Sequence, residues 1–202
     1  MWQQIRQKIS KSPDWQFVGL QVLLVVGLQL LGPEYFRYDS DWLQTGQVWR
    51  LLTAHWVHVG WAHLLLNTVG LGICVSLANP RWSVRRWLTL SVGMGLGISI
   101  LFTLLNPELQ WYVGFSGVLF GLYFLAAQDL YARDRLVAVL MGGAIVVKVL
   151  IEQFTSWDLD SSALIGAPVI VDAHLYGLLI AIAIALVWAR YTMNHCPDQH
   201  SK

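Results

Sequence analysis

Charged side chains are scarce in this sequence. Asp, Glu, Lys and Arg make up 12% of its 202 residues, compared with about 25% in soluble domains. Hydrophobic residues account for 56%, and the mean hydropathy is +0.53. This composition excludes an ordinary soluble domain and predicts a polytopic membrane protein. The formal net charge of +1 gives no basis for a nucleic-acid-binding function.

Cysteine is also nearly absent. Cys74 lies in an apolar stretch and Cys196 in the polar C-terminal segment, so neither a disulfide framework nor a cysteine-based metal site is indicated. Three histidines, His55, His58 and His63, fall within nine residues. A metal at these histidines stays an alternative, but no carboxylate or fourth ligand has suitable spacing. We therefore expect no metal and no cofactor.

Long apolar stretches fill most of the chain. A hydrocarbon core of ~30 Å needs roughly 20 apolar residues per helix. We therefore predict an all-α membrane protein with a bundle of six transmembrane helices, over residues 15–31, 58–78, 87–105, 115–132, 136–154 and 169–188. Residues 15–190 form the helical domain, between a cytoplasmic N-terminal segment (1–14) and a cytoplasmic tail (191–202). Residues 34–55, rich in aromatic side chains, are expected to form an ordered, partly inserted loop.

The distribution of Lys and Arg predicts the orientation. If the N-terminus is cytoplasmic, Arg37 and Arg50 lie outside and Lys148 lies within a span. Cytoplasmic segments are enriched in Lys and Arg, and the remaining ten fall inside: Arg6, Lys8, Lys11, Arg81, Arg85, Arg86, Arg133, Arg135, Arg190 and Lys202. Both termini are therefore predicted to be cytoplasmic.

Two polar residues, Ser116 and His174, are predicted to lie at the same membrane depth. Polar groups within a bilayer are costly and need a partner or a function. Ser116 opens the fourth span and His174 lies near the start of the sixth, and both ends face outward. Ser116 alone is more often a helix cap or packing residue, and His174 alone could equally be satisfied by a neighbouring helix. Together they favour a serine nucleophile with a histidine base.

Small residues accompany this pair. The fourth span carries Gly117 and Gly121, and the sixth carries Ala173, Gly177 and Ala181. Small residues spaced four apart let membrane helices approach closely. We therefore expect the fourth and sixth helices to bring the serine and the histidine into contact.

Further polar side chains occur in the second span. His63 and Asn67 lie four residues apart and share a helix face, with His58 just before them. Their donors, together with the backbone N–H of Ser116, could stabilise an oxyanion. The alternative is that they form hydrogen bonds that hold helices together.

The fifth span carries an ionic pair, Lys148 and Glu152. Their spacing predicts an intrahelical salt bridge, which we interpret as structural. Asp172, two residues before His174, points to a different helix face and is expected to cap the sixth helix. An alternative is a small transporter with a proton path through Lys148, Glu152 and Asp172.

Four motifs occur in order along the chain: Trp49-Arg50, His58-x4-His63-x3-Asn67, Gly114-Phe115-Ser116-Gly117 and Ala173-His174-x2-Gly177. In this set the chain resembles the rhomboid intramembrane serine proteases. The resemblance implies a catalytic dyad of Ser116 and His174 with no acidic third member. It also implies an oxyanion site at His63, Asn67 and the Ser116 N–H, supported by Gly114 and His58.

The chain departs from the family pattern at two positions. Phe120 stands where many members have tyrosine, and Ala181 stands where they have glycine. We expect Phe120 to stack on His174 without a hydroxyl, and Ala181 to keep the close packing.

Within the family, the chain is most similar to the rhombosortase branch, through residues 51–58, 63–67, 148–153 and 167–177. This resemblance implies processing of secreted proteins at a C-terminal transmembrane anchor that contains Gly-Gly. The partners would be that substrate and the lipid bilayer. The enzyme would lie in the inner membrane of Gram-negative bacteria, with its active site open to the periplasm. The alternatives are a rhomboid protease of other single-span substrates and a non-catalytic rhomboid-like protein that binds membrane clients.

Overall fold

The structure, a computed structural model, describes residues 14–155 and 162–195. Most of the predicted N-terminal segment and C-terminal tail lie outside the described residues. Arg6, Lys8, Lys11, Cys196 and Lys202 also lie outside the described residues.

Helices dominate the described chain. They are α1 (Trp15–Leu31), α2 (Trp42–Thr45), α3 (Arg50–Thr53), α4 (Trp61–Leu77), α5 (Val84–Leu105), α6 (Ser116–Leu130), α7 (Arg135–Phe154), α8 (Ser162–Ile165) and α9 (Asp172–His195). Two 3-10 turns, at Pro33–Tyr35 and Ala54–Trp56, flank the segment that holds α2 and α3.

One small feature departs from the all-helical prediction. Strands β1 (Tyr38–Asp39) and β2 (Trp111–Tyr112) pair antiparallel, with Tyr38 opposite Tyr112. Both tyrosines are buried, and their rings pack on Phe102 with centroid distances of 5.8 and 4.9 Å. Aromatic residues favour extended backbone packed on one side, which explains why these loop residues pair as strands.

Three of the long helices begin at side-chain caps. The carboxylates of Asp14 and Asp134 accept from the N–H groups of Phe17 and Val137, respectively. The Ser83 hydroxyl caps α5 in the same way. Such caps satisfy backbone donors that the first turn leaves free. The Ser83 cap starts α5 at Val84, three residues before the predicted boundary at residue 87.

The helix lengths fit a multi-pass membrane protein. Among the described residues, α5, α7 and α9 are long and apolar enough to cross a membrane. The segment Arg50–Trp56 and α4, bent by 86°, make a fourth span if they are counted together. Helices α1 and α6 are apolar but shorter, with 17 and 15 residues.

Helix α6 lies at the centre of the bundle. It packs against α4, α5, α7 and α9, and ten of its residues are buried. A 15-residue helix is about 22 Å long, less than the ~30 Å of a hydrocarbon core. Because other helices surround α6, its apolar side chains mainly contact protein.

Helices α6 and α9 touch through their backbones. A Cβ atom on Gly117 would lie 2.6 Å from the Ala173 carbonyl oxygen, and one on Gly121 would lie 2.7 Å from that of Gly177. A Cβ on Gly177 would collide with the Gly117 carbonyl group. Further along the same face, Ala181 is fully buried.

The segment before α4 is held together by hydrogen bonds from its side chains to its own carbonyl groups. The Arg50 guanidinium donates to the carbonyl groups of Glu34 and Arg37, both at 2.9 Å, and the Thr53 hydroxyl donates to the Phe36 carbonyl at 2.7 Å. These bonds satisfy loop carbonyl groups that lack a helical or sheet partner.

Replacing Gly177 with alanine should destabilise the fold, because the added methyl group would push α9 away from Gly117. We expect a loss of about 1–3 kcal/mol in the free energy of unfolding, measured by thermal and denaturant unfolding in detergent. Gly93→Ala is the matched control, since no heavy atom lies within 4 Å of a Cβ there. That change should be neutral or stabilise α5 by up to about 1 kcal/mol. Equal unfolding midpoints for the two variants would contradict the close approach.

Candidate active site

The backbone that leads to Ser116 is held on both sides. Gly114 has a φ of +126°, a conformation that side chains disfavour. Its N–H donates to the Ala54 carbonyl at 3.0 Å, and its own carbonyl accepts from the Tyr112 hydroxyl at 2.7 Å. Burial raises the pKa of Tyr112, so its phenol stays protonated and donates. Ser116 is the first residue of α6, so its N–H has no intrahelical partner.

His174 lies in the first turn of α9 and faces Ser116. Its Nε2 atom is 2.9 Å from the Ser116 Oγ atom. The imidazole also stacks on the Phe120 ring, with centroids 4.1 Å apart and planes within 3°. The backbone approach of α6 and α9 therefore places a hydroxyl and an imidazole in hydrogen-bond contact.

The other imidazole nitrogen faces an acid. His174 Nδ1 lies 2.8 Å from Glu152 Oε2, and Glu152 Oε1 accepts from Lys148 Nζ at 2.5 Å. The predicted Lys148–Glu152 salt bridge is present, but Glu152 also contacts the histidine. The arrangement thus departs from the two-residue dyad that the family resemblance implied.

Sequence reasoning missed this contact because the i,i+4 partner accounted for the charge of Glu152. A carboxylate has two oxygens, and Lys148 engages only one of them. The available signal was position, since Glu152 is predicted near the end of the fifth span that lies beside the start of the sixth, where His174 is.

Asp172 lies apart from this contact. Its oxygens accept from Asn106 at 2.7 Å and Gln153 at 3.4 Å, while Tyr176 donates to Asn106 at 2.5 Å. The expected position of Asp172 in the first turn of α9 is found, but its carboxylate binds the side chains of Asn106, which directly follows α5, and of Gln153 in α7. These hydrogen bonds tie the start of α9 to α5 and α7.

A cavity of about 530 Å³ lies beside Ser116 and His174. The α5–α6 connection forms one wall, and the segment before α9 forms another. Polar lining groups also come from α4, through His63 and Asn67. The cavity joins the serine, the histidine and further hydrogen-bond donors in one space.

His63 and Asn67 both line this cavity and carry side-chain groups that can donate hydrogen bonds. Asn67 Nδ2 donates one hydrogen to the His63 carbonyl at 3.3 Å, which leaves its second amide hydrogen. A Cβ on Gly114 would lie 2.8 Å from His63 Cε1. Because Gly114 has no side chain, the imidazole of His63 can pack against the backbone two residues before Ser116.

His58 is more remote than the other predicted support residues. It is buried, and its ring meets that of His63 edge-on with centroids 4.8 Å apart. Its backbone N–H and carbonyl both pair with the Gln29 amide at 3.0 Å. The cavity lining does not include His58, so it lies behind His63.

A second serine–histidine contact occurs elsewhere. His55 Nε2 lies 3.0 Å from Ser99 Oγ. Both residues are fully buried, and neither lines the cavity. A substrate in the cavity would therefore meet Ser116 rather than Ser99. Within residues 14–155 and 162–195, no group of three His, Cys, Asp or Glu residues is arranged to hold a metal.

Comparison with known proteins identifies the protein family. Residues 45–191 match the family described as "Rhomboid domain". The chain belongs to the rhomboid family. The match extends from α2 into α9 and includes Ser116, Glu152 and His174.

The sequence identity between this chain and individual rhomboid relatives is low. "Rhomboid protease GluP" of Bacillus subtilis is 25% identical over 161 residues, which cover 74% of this chain and 31% of the relative. YdcA, also of Bacillus subtilis, is 26% identical over 66% of this chain and 63% of its own length. "RHOMBOID-like protein 5" of Arabidopsis thaliana is 34% identical over 40% of this chain and 26% of the relative. The chain spans less than two thirds of each of these relatives.

Proposed function

We propose that this chain is an intramembrane serine protease. The observation that carries the proposal is the 2.9 Å contact between Ser116 Oγ and His174 Nε2 at the wall of a 530 Å³ cavity. Membership of the rhomboid family, with a relative named as a protease, supports it.

In the proposed reaction, Ser116 is the nucleophile and His174 the general base. The Ser116 oxygen attacks the carbonyl carbon of the peptide bond as its proton passes to His174 Nε2. When the tetrahedral intermediate collapses, the carbon–nitrogen bond breaks and His174 donates that proton to the leaving amine. The product is an acyl-enzyme on Ser116.

The oxyanion would be held by the Ser116 N–H and the donors of His63 and Asn67. Donors placed in advance around the developing charge are worth about 10²–10³ in rate each. Water entering through the cavity would then attack the ester, with His174 again taking and returning a proton. This second step releases the acyl product and restores Ser116.

A fluorophosphonate probe should label Ser116 covalently in detergent-solubilised protein. Labelling should fall below detection in Ser116→Ala and in His174→Ala, because loss of either partner lowers serine-protease turnover by roughly 10⁶-fold. The readout is in-gel fluorescence, with mass spectrometry to locate the modified residue.

Ser99→Ala is the matched control for this experiment, since it removes the serine of the buried pair with His55. It should keep wild-type labelling. Labelling that persists in Ser116→Ala, or a folded wild-type protein that takes no probe, would favour the non-catalytic client-binding function.

The proposed membrane arrangement has six spans, α1, α4, α5, α6, α7 and α9, with both termini cytoplasmic. The excess of Lys and Arg in the segments assigned to the cytoplasm supports it. The short α6 is compatible with this arrangement because its neighbours cover it. The cavity then opens to the periplasm of a bacterial inner membrane, since the α5–α6 connection and the segment before α9 lie on that side.

Fusions to alkaline phosphatase should locate these connections, because the enzyme is active only outside the cytoplasm. A fusion after Glu108 should be active, whereas one after Arg133 should be inactive, with a difference of at least about tenfold after correction for expression. Fusions to green fluorescent protein at the same positions are the control and should give the opposite pattern. Phosphatase activity after Arg133 would contradict the six-span arrangement.

The proposed substrate is a secreted protein with a C-terminal transmembrane anchor that contains Gly-Gly, in Gram-negative bacteria. A helical substrate hides its amides in hydrogen bonds, so its backbone must unwind before Ser116 can reach a carbonyl carbon. Glycine lowers this requirement by about 1 kcal/mol per residue relative to alanine. Similarity to the rhombosortase branch supports this choice over other single-span substrates.

A reporter with a Gly-Gly anchor should be cut when it is co-expressed with the wild-type protein but not with Ser116→Ala. A reporter with Ala-Ala in place of Gly-Gly is the control and should be cut at least about tenfold more slowly. Immunoblotting gives the rates, and mass spectrometry maps the cleaved bond. Equal cleavage of both reporters would exclude the Gly-Gly preference while leaving the protease proposal in place.

A further inference from the structure

The side chains around His174 form a continuous chain of contacts from α6 to α7. Ser116 Oγ lies 2.9 Å from one imidazole nitrogen, and Glu152 Oε2 lies 2.8 Å from the other. Glu152 Oε1 accepts in turn from Lys148 Nζ at 2.5 Å. Both nitrogens of the proposed base therefore have a defined partner.

The contact with Glu152 selects the tautomer of His174. A carboxylate can only accept hydrogen bonds, so the atom that faces Glu152 Oε2 must be an Nδ1–H donor. The proton-free nitrogen is then Nε2, which accepts from the Ser116 hydroxyl. A general base that takes a proton from Ser116 needs this tautomer.

Glu152 also complements the stacking on Phe120. Parallel stacking fixes the plane of the imidazole, but it does not determine which nitrogen faces Ser116. A half-turn of the ring keeps this plane but exchanges the nitrogen and carbon positions, and the contact of Nδ1 with Glu152 selects one of the two orientations. Phe120 and Glu152 thus constrain the plane and the orientation of the same ring.

Burial makes this contact electrostatically important. The side chains of Glu152 and His174 are 4% and 5% exposed, whereas Lys148 is 38% exposed. The Lys148 ammonium compensates an anion that would otherwise be buried alone, a strongly unfavourable state. When His174 receives the serine proton, the imidazolium faces a carboxylate held ready to stabilise it.

We propose that Glu152 is a positioning residue that makes Ser116–His174–Glu152 a working triad, with Lys148 holding the carboxylate in place. The inference rests on the proposed protease function and goes beyond the dyad that the family resemblance implied. It gives the salt bridge in α7 a role in the rate of acylation.

The test measures inactivation of the purified full chain by a fluorophosphonate, separating the maximal rate kinact from the half-saturating concentration KI. In Glu152→Gln, Lys148 would bind the amide oxygen and the amide NH2 group would face His174. The histidine would then carry its proton on Nε2, which is the wrong tautomer. An acid-to-amide change in a serine-protease triad lowers kcat about 10⁴-fold. We expect kinact to fall roughly 10²- to 10⁴-fold, with KI changed less than about threefold.

Two further variants separate positioning from folding. Glu152→Asp keeps the carboxylate and should recover at least about tenfold of the lost rate. The double variant Lys148→Gln with Glu152→Gln removes both charges and should stay as slow as Glu152→Gln, because His174 still lacks a carboxylate. Recovery of kinact in the double variant would show that the single variant suffered from the Lys148 charge, which the Glu152 carboxylate no longer neutralises, and would overturn the proposal.

Glu34→Gln is the matched control, since this exposed glutamate lies outside the site, and it should react at the wild-type rate. A kinact of Glu152→Gln within about threefold of wild type, with Ser116→Ala unreactive, would overturn the triad and leave the protease function standing. A Ser116→Ala protein that still reacted at wild-type rate would remove both.

Discussion

The proposed chemistry of this chain depends on a backbone contact between two helices. Gly117 and Gly177 let α6 and α9 approach until a carbonyl group of one helix occupies the space of a missing side chain on the other. At that separation His174 reaches Ser116 directly. Any larger side chain at these positions would separate the helices. Ser116 would then lose its contact with His174 even though no polar residue had been substituted.

A second constraint is that polar groups in an apolar bundle need partners. Beside the cavity, several polar side chains meet it by pairing across helices. Asn106, Asp172 and Tyr176 join α5 to α9 there, while Glu152 joins α7 to α9. The segment before α4 uses the same means, since Arg50 binds two of its carbonyl groups. Hydrogen bonds at these connections hold the helices on which the site depends.

Much of the helical arrangement could be predicted from the sequence, because apolar stretches and their Pro, Gly and Asn boundaries are local signals. The proximity of Ser116 and His174 could also be predicted, since small residues recur on both helices at matched depth. The Glu152 contact could not, because it depends on the rotation of α7 about its axis relative to α9. The position of His58 behind His63 likewise depends on the 86° bend before α4, which no periodicity reveals.

The enclosure of α6 has a consequence for the lipids around the protein. Helix α7 leaves most of its residues at least partly exposed, and apart from the Glu152 side chain only Ala138 and Val149 are buried, whereas α6 is largely covered by its neighbours. Differences in bilayer thickness would therefore act first on the tilt of peripheral helices such as α7. Through Glu152, that tilt is linked to the orientation of His174. Lipid composition is thus a physical variable to which the rate of a reaction at Ser116 could respond, without any lipid entering the cavity.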